Sequence, residues 1–165
     1  MDLFEHTTHW VKGEIFEGST IIVSGVLTFI VGFLLWQFGT TPNSKTLIIP
    51  TFVVGVLFVA MGISMVYSNN KRLPEMEAAF RQNNTEFAKI EKQRVEDFQI
   101  LYPISLAVST VCIALTLIFF WFTKNETLYA TGIALSVFGI ALIVIDYFSN
   151  ERAAIYYEQI LKNLQ

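Results

Sequence analysis

Apolar and polar residues alternate in long blocks along this chain. Four blocks, 19–38, 47–67, 101–122 and 128–148, hold no Lys, Arg or Glu, and Asp146 alone puts a charge inside one of them. At 1.5 Å rise per residue, about 20 helical residues cross a hydrocarbon layer of roughly 30 Å, so each block predicts one spanning helix. Open sheet would leave backbone groups unpaired in lipid, which makes helix the required form. Between the second and third blocks, Leu73, Phe80 and Phe87 recur every seven residues, as do Met76, Asn83 and Ile90, which predicts an amphipathic helical segment. Pro74 suits a helix first turn, and Asn83 with Glu86 forms a capping-box pattern that predicts a break and a second helix from about Asn84, kinked or ended at Pro103. The tail repeats an apolar stripe at Ile155, Ile160 and Leu164.

Within the spans the small residues keep a beat of their own. Gly18, Gly25, Gly32 and Gly39 fall at every seventh position, as do Gly55 with Gly62 and Gly132 with Gly139. The third span spaces Ser105 with Cys112, Ala107 with Ala114 and Ser109 with Thr116 in the same way. Seven residues are close to two helical turns, so each series is a narrow stripe along one helix face. Lipid tails give helices no hydrophobic reason to associate, and close approach at small residues supplies packing instead. These stripes are expected to be contact seams, closing within one four-helix bundle or continuing into neighbouring copies.

A tandem repeat is also expected. Thr46-Leu47 opens the second span and Ser68-Asn69 closes it, while Thr127-Leu128 and Ser149-Asn150 stand at matching places around the fourth. Upstream, "GEIFEG" before the first span is similar to "VEDFQI" before the third. The chain divides on this reading into helical-hairpin repeats over 1–82 and 83–165 within one membrane domain, the two halves in the same orientation.

Composition and charge give the setting. Hydrophobic residues make up 53% of the chain and charged residues 15%, with a mean hydropathy of +0.52. A soluble chain coats itself in polar groups, and this one reads as an all-α integral membrane protein with four transmembrane helices. Nine of the eleven Lys and Arg lie in the N-terminal, central and C-terminal polar segments, and Lys45 and Lys124 lie in the two short linkers. That bias places both termini on the cytoplasmic side, as expected of a multi-pass protein of a bacterial cytoplasmic membrane, with Trp36 and Trp121 near the outer ends of their spans. Acidic residues early in the chain, and Lys12 as the only basic one before the first block, argue for an uncleaved anchor. The central segment 71–99 balances six basic against six acidic residues, which does not favour nucleic acid as a partner.

Polar positions near the spans are the candidates for chemistry. Asp146 continues the series Gly132, Gly139 and should point inward, where an ionisable group is a functional-site hypothesis. Asn69 holds the same place after Gly55 and Gly62, with Lys71 or Arg72 as an expected counter-ion. Glu14 shares the glycine face of the first helix and Glu17 lies beside it, so a helix that starts early brings both to the level of Asp146, where three carboxylates could hold a cation. His6 and His9, three residues apart, are weak metal candidates. "NNT" at 83–85 and "NET" at 125–127 match the glycosylation pattern. Cys112 is the only cysteine, which excludes an intramolecular disulfide.

No phosphate loop, zinc-protease helix, nucleophile elbow or redox cysteine pair occurs. The expectation is a non-enzymatic tetraspan module, without a cofactor, that assembles with itself or another membrane protein through its small-residue seams and cytoplasmic amphipathic helices. The alternative is an oligomeric ion channel or small-solute transport protein with a polar inner mouth.

Overall fold

A computed structural model describes residues 2–165. The described chain forms α1 (Leu3–Phe38), α2 (Pro42–Gln82), α3 (Asn84–Gln99), α4 (Leu101–Phe122) and α5 (Glu126–Leu164), with no strand among the described residues. Each helix start but one is fixed by a side chain that accepts from an otherwise orphaned N–H. Asp2 Oδ1 takes the Glu5 N–H at 2.8 Å, Thr41 and Ser44 form a reciprocal box, Asn83 caps α3, and Asn125 caps α5. The asparagines of both glycosylation-like patterns are therefore helix caps.

α4 is the exception. It follows α3 after a single turn residue, Ile100, and Pro103 sits in its first turn, where a missing N–H costs nothing. Pro74 lies elsewhere than expected: it is inside the 41-residue α2 rather than at a helix start. The helix continues past it because the residues beyond are anchored by packing, Met76 being buried in the core of the terminal end.

α1, α2, the α3–α4 run and α5 are each long and apolar enough to cross a membrane. Their most apolar stretches are no more than 22% buried, so most of the apolar side chains face outward. α1 and α2 form one hairpin and α4 and α5 another. α5 also packs on α1 and α2, whereas α4 rests on α5 and α3 and makes no comparable packing with the first hairpin.

The glycines explain how close the first hairpin is. A Cβ built on Gly62 would lie 2.5 Å from the Gly18 carbonyl oxygen, and one on Gly25 would lie 2.9 Å from the Val59 nitrogen and 3.0 Å from the Gly55 carbonyl oxygen. Backbone meets backbone there. Farther along, Gly32 faces the Phe52 ring, and Gly39 leaves the seam to cap the C-terminus of α1. The second hairpin is looser: Gly139 packs on Cys112 and Ser109, and Gly132 packs on Phe120 and Thr116, whose hydroxyl lies 2.8 Å from the Gly132 carbonyl oxygen.

Two cores follow. Between the spans, Ile21, Val54 and Phe58 are buried, and the Phe58 and Phe138 rings stack at 5.8 Å. At the end that carries both termini, the amphipathic segments fold together into a cap around Leu3, Trp10, Val11, Met76, Phe87, Val95, Tyr156 and Ile160. The central segment thus packs beneath the spans of its own chain. Ile90 and Ile155 face outward despite their place in the sequence pattern.

Candidate functional site

Where the cap meets the spans, a cavity of about 860 Å³ opens between the hairpins. Its floor comes from α1 and α5. Trp10, Glu14, Glu17 and Ile21 recur at helical spacing and so lie on one face of α1, while Leu142, Asp146 and Ser149 do the same on α5. One wall is α2, with Ser64, Asn69 and Arg72, and the other is the α3–α4 junction, with Arg94, Asp97, Tyr102 and Ser105. Floor residues are mostly buried. Ala60, Ser64 and Arg72 on α2 and Asp97 and Leu101 opposite are exposed, so the mouth lies between α2 and the junction.

All four polar residues singled out in the sequence, Glu14, Glu17, Asn69 and Asp146, line this cavity. Glu14 and Glu17 enter it because α1 begins at Leu3 and runs without a break. Their cation is Arg152 of α5, whose Nη2 lies 3.0 Å from Glu14 Oε1 and also contacts Glu17 Oε2, while neither Lys71 nor Arg72 pairs with Asp146 among the described residues. Ser149 donates to Glu14 Oε1 at 3.2 Å, and the Tyr102 and Ser149 hydroxyl oxygens are 3.2 Å apart. A chain of polar contacts therefore ties α1, α4 and α5 together. Gly13, the one glycine outside the seven-residue series, makes room for it, since a Cβ there would lie 3.0 Å from Arg152 Cδ.

Asn69 is 8% exposed and donates to the Met65 carbonyl oxygen at 2.9 Å, which leaves its own side-chain oxygen on the cavity wall. Asp146 forms no ion pair among the described residues, and its Oδ2 is buried with no hydrogen-bond partner. Glu17 Oε1, Trp10 Nε1 and Arg94 Nε are in the same condition, in residues that line the same cavity. Buried polar atoms are normally paired, so a cluster of unpaired ones around one space calls for an explanation.

His6 and His9 lie apart from this cavity, in a shallow crevice with Trp10, Arg152 and Tyr156. Among the described residues no group of three or more His, Cys, Asp and Glu is placed to hold a metal ion.

The cap beneath the cavity carries a second buried network. Thr7 and Tyr156 hydroxyls are 2.7 Å apart, Tyr156 donates to Glu91 Oε2 at 2.9 Å, and Glu91 pairs with Arg94, which stands 4.7 Å over the Trp10 ring. Burial, and then the Glu91 carboxylate, push the Tyr156 phenol well above its ordinary value. The Tyr157 phenol is raised too, chiefly by its 2.5 Å hydrogen bond to Glu96.

No protein family, curated protein or solved structure matches the chain.

Proposed function

We propose that the chain is a multi-pass membrane protein, with both termini and the cap on the cytoplasmic side, that acts as a non-enzymatic assembly module by pairing with a second copy along α4. The observation that carries this reading is that α4 is packed on one side only. Ser109, Cys112 and Thr116 are buried against α5, whereas Ala107 and Ala114, two turns apart, are exposed on α4. The glycine stripes of α1, α2 and α5 are occupied within the chain, which leaves the alanine stripe of α4 as the small-residue surface for a partner helix. Replacing Ala107 and Ala114 by Phe is expected to convert an oligomer to a monomer, read as protein mass in mild detergent with the bound detergent subtracted. A wild-type protein that is monomeric both in detergent and by cross-linking in the membrane would overturn the reading.

An oligomeric ion channel is the second reading, favoured by the gathering of Asp146, Asn69, Glu14 and Glu17 around one cavity. The Phe58–Phe138 stack lies across the interior of a single chain, so a conducting path would run between copies. Ion flux into liposomes that carry the protein, lost on Asp146→Asn, would support it. Absence of flux from wild-type protein would remove it. A tandem duplication belongs to the same proposal: each half holds one hairpin, and Asn83 caps the first helix of the second half.

A further inference from the structure

The cavity between the hairpins has charge of both signs, unpaired groups of both kinds and a lateral mouth. Arg72 has no acidic partner and Asp146 has no basic one among the described residues, and both line it. Of the six buried side-chain atoms without a partner among the described residues, four belong to residues of its wall: Glu17 Oε1 and Asp146 Oδ2, which accept from any donor, and Trp10 Nε1 and Arg94 Nε, which donate; all four are sealed from the open space, so the charges the wall presents to it are those of Asp146 and Arg72. A simple cation would answer Asp146 and leave Arg72, and a simple anion would do the reverse.

Size and access narrow the ligand further. A volume of about 860 Å³ is large enough to admit a polyatomic group. The mouth runs along α2 from Arg72 at the cap to Ala60 within the span, opposite Asp97 and Leu101. A ligand seated there would have its polar part at the cap boundary and an apolar part directed along the outward-facing helices.

We propose that the cleft between α2 and the α3–α4 junction binds the headgroup of a zwitterionic aminophospholipid, its primary ammonium at Asp146 and its phosphate at Arg72. This rests on the membrane placement proposed above and is independent of pairing through α4. A primary ammonium donates N–H bonds to the Asp146 carboxylate, which a trimethylammonium cannot do. The site therefore discriminates between phosphatidylethanolamine and phosphatidylcholine, two lipids of the same net charge.

The test uses the full chain, purified in mild detergent and stripped of lipid. It is titrated with phosphatidylethanolamine, phosphatidylcholine or phosphatidylglycerol of matched acyl chains, and retained lipid per chain is counted by native mass spectrometry. The expected result is one phosphatidylethanolamine per chain, bound about tenfold or more tightly than the other two lipids, as the loss of a charge-assisted hydrogen bond implies. Asp146→Asn and Arg72→Gln are each expected to weaken that binding by about tenfold with little change in unfolding temperature. Equal retention of the three lipids, preference for phosphatidylglycerol, or no retention would overturn the proposal on wild-type protein alone. Displacement of the lipid by an equal concentration of soluble phosphoethanolamine would assign the site to a small soluble compound and overturn the lipid assignment. Variants that bind as wild type would overturn the placement of the two charges.

Discussion

Replacing Arg152 by Met removes the one cation shared by two carboxylates. Glu14 is 2% exposed and Glu17 9%, so neither can turn to water when its partner is lost. Breaking a buried ion pair by removing one partner costs about 3–5 kcal/mol, and because the Arg152 side chain is 31% exposed the lower end, about 3 kcal/mol, applies here. For a chain of this size that is a fall of about 6–12 °C in unfolding temperature. The assay is thermal unfolding in mild detergent, followed by circular dichroism. A companion variant with Glu14→Gln, Glu17→Gln and Arg152→Met removes all three charges together and is expected to recover most of the loss, because amides of the same shape leave no charge stranded. A single Arg152→Met variant within about 2 °C of wild type, or a triple variant no more stable than the single, would refute the view that this cluster is held by charge neutralisation in a water-poor site.

The remaining expectations concern packing, the cap and pH. Gly62→Ala places a methyl group 2.5 Å from the Gly18 carbonyl oxygen and should cost about 1–3 kcal/mol, whereas Gly132→Ala meets the edge of the Phe120 ring at 3.1 Å and should cost less; unfolding of the two variants in one detergent ranks them. Tyr156→Phe strips Glu91 of a donor in the cap and should cost about 1–3 kcal/mol, seen as faster amide exchange in α3; unchanged protection would remove the network from the account. For Tyr156 the folded state raises the phenol above its unfolded value of about 10, so its contribution is whole below that pH and is lost as pH climbs through the raised folded value. Alkaline titration followed by tyrosinate absorbance should therefore show late-titrating phenols, one fewer of them in Tyr156→Phe, where the raised Tyr157 remains.

The helices were legible because their signals are local. Lengths of apolar runs set the four helices long and apolar enough to cross a membrane, and the Asn83–Glu86 cap marked the start of α3. Pro74 misled because a proline's preference for a first turn is a local statement, and α2 is held through it by distant contacts at Met76. The glycine beat gave a face to each helix and left its partner open. Gly18 with Gly62 and Gly25 with Gly55 pair antiparallel inside one hairpin, a choice that depends on the short turn at residues 39–41.

The site was legible in half. Glu14, Glu17, Asn69 and Asp146 stood out as polar groups at the edge of apolar blocks, and the fold brings them to one cavity. Arg152, Tyr102 and Trp10 carry no site signal in the sequence, since each looks ordinary in a polar tail or at a helix end, and Ser149 stands out there only as a repeat marker. A signal was present, because Ser149, Arg152 and Tyr156 lie on one face of a helix that continues from Asp146. Knowing that this face meets α1 required the tertiary fold.

Pairing of copies along α4 is tested most directly by cysteine cross-linking in the native membrane, with Cys112 first replaced by Ser and single cysteines then placed at Ala107, Ala114 and, as a control, at Val56 on the exposed side of α2. The account predicts rapid disulfide-linked dimers through positions 107 and 114 and slow, sparse ones through 56. Dimers that form equally at all three positions, or at 56 alone, would contradict it.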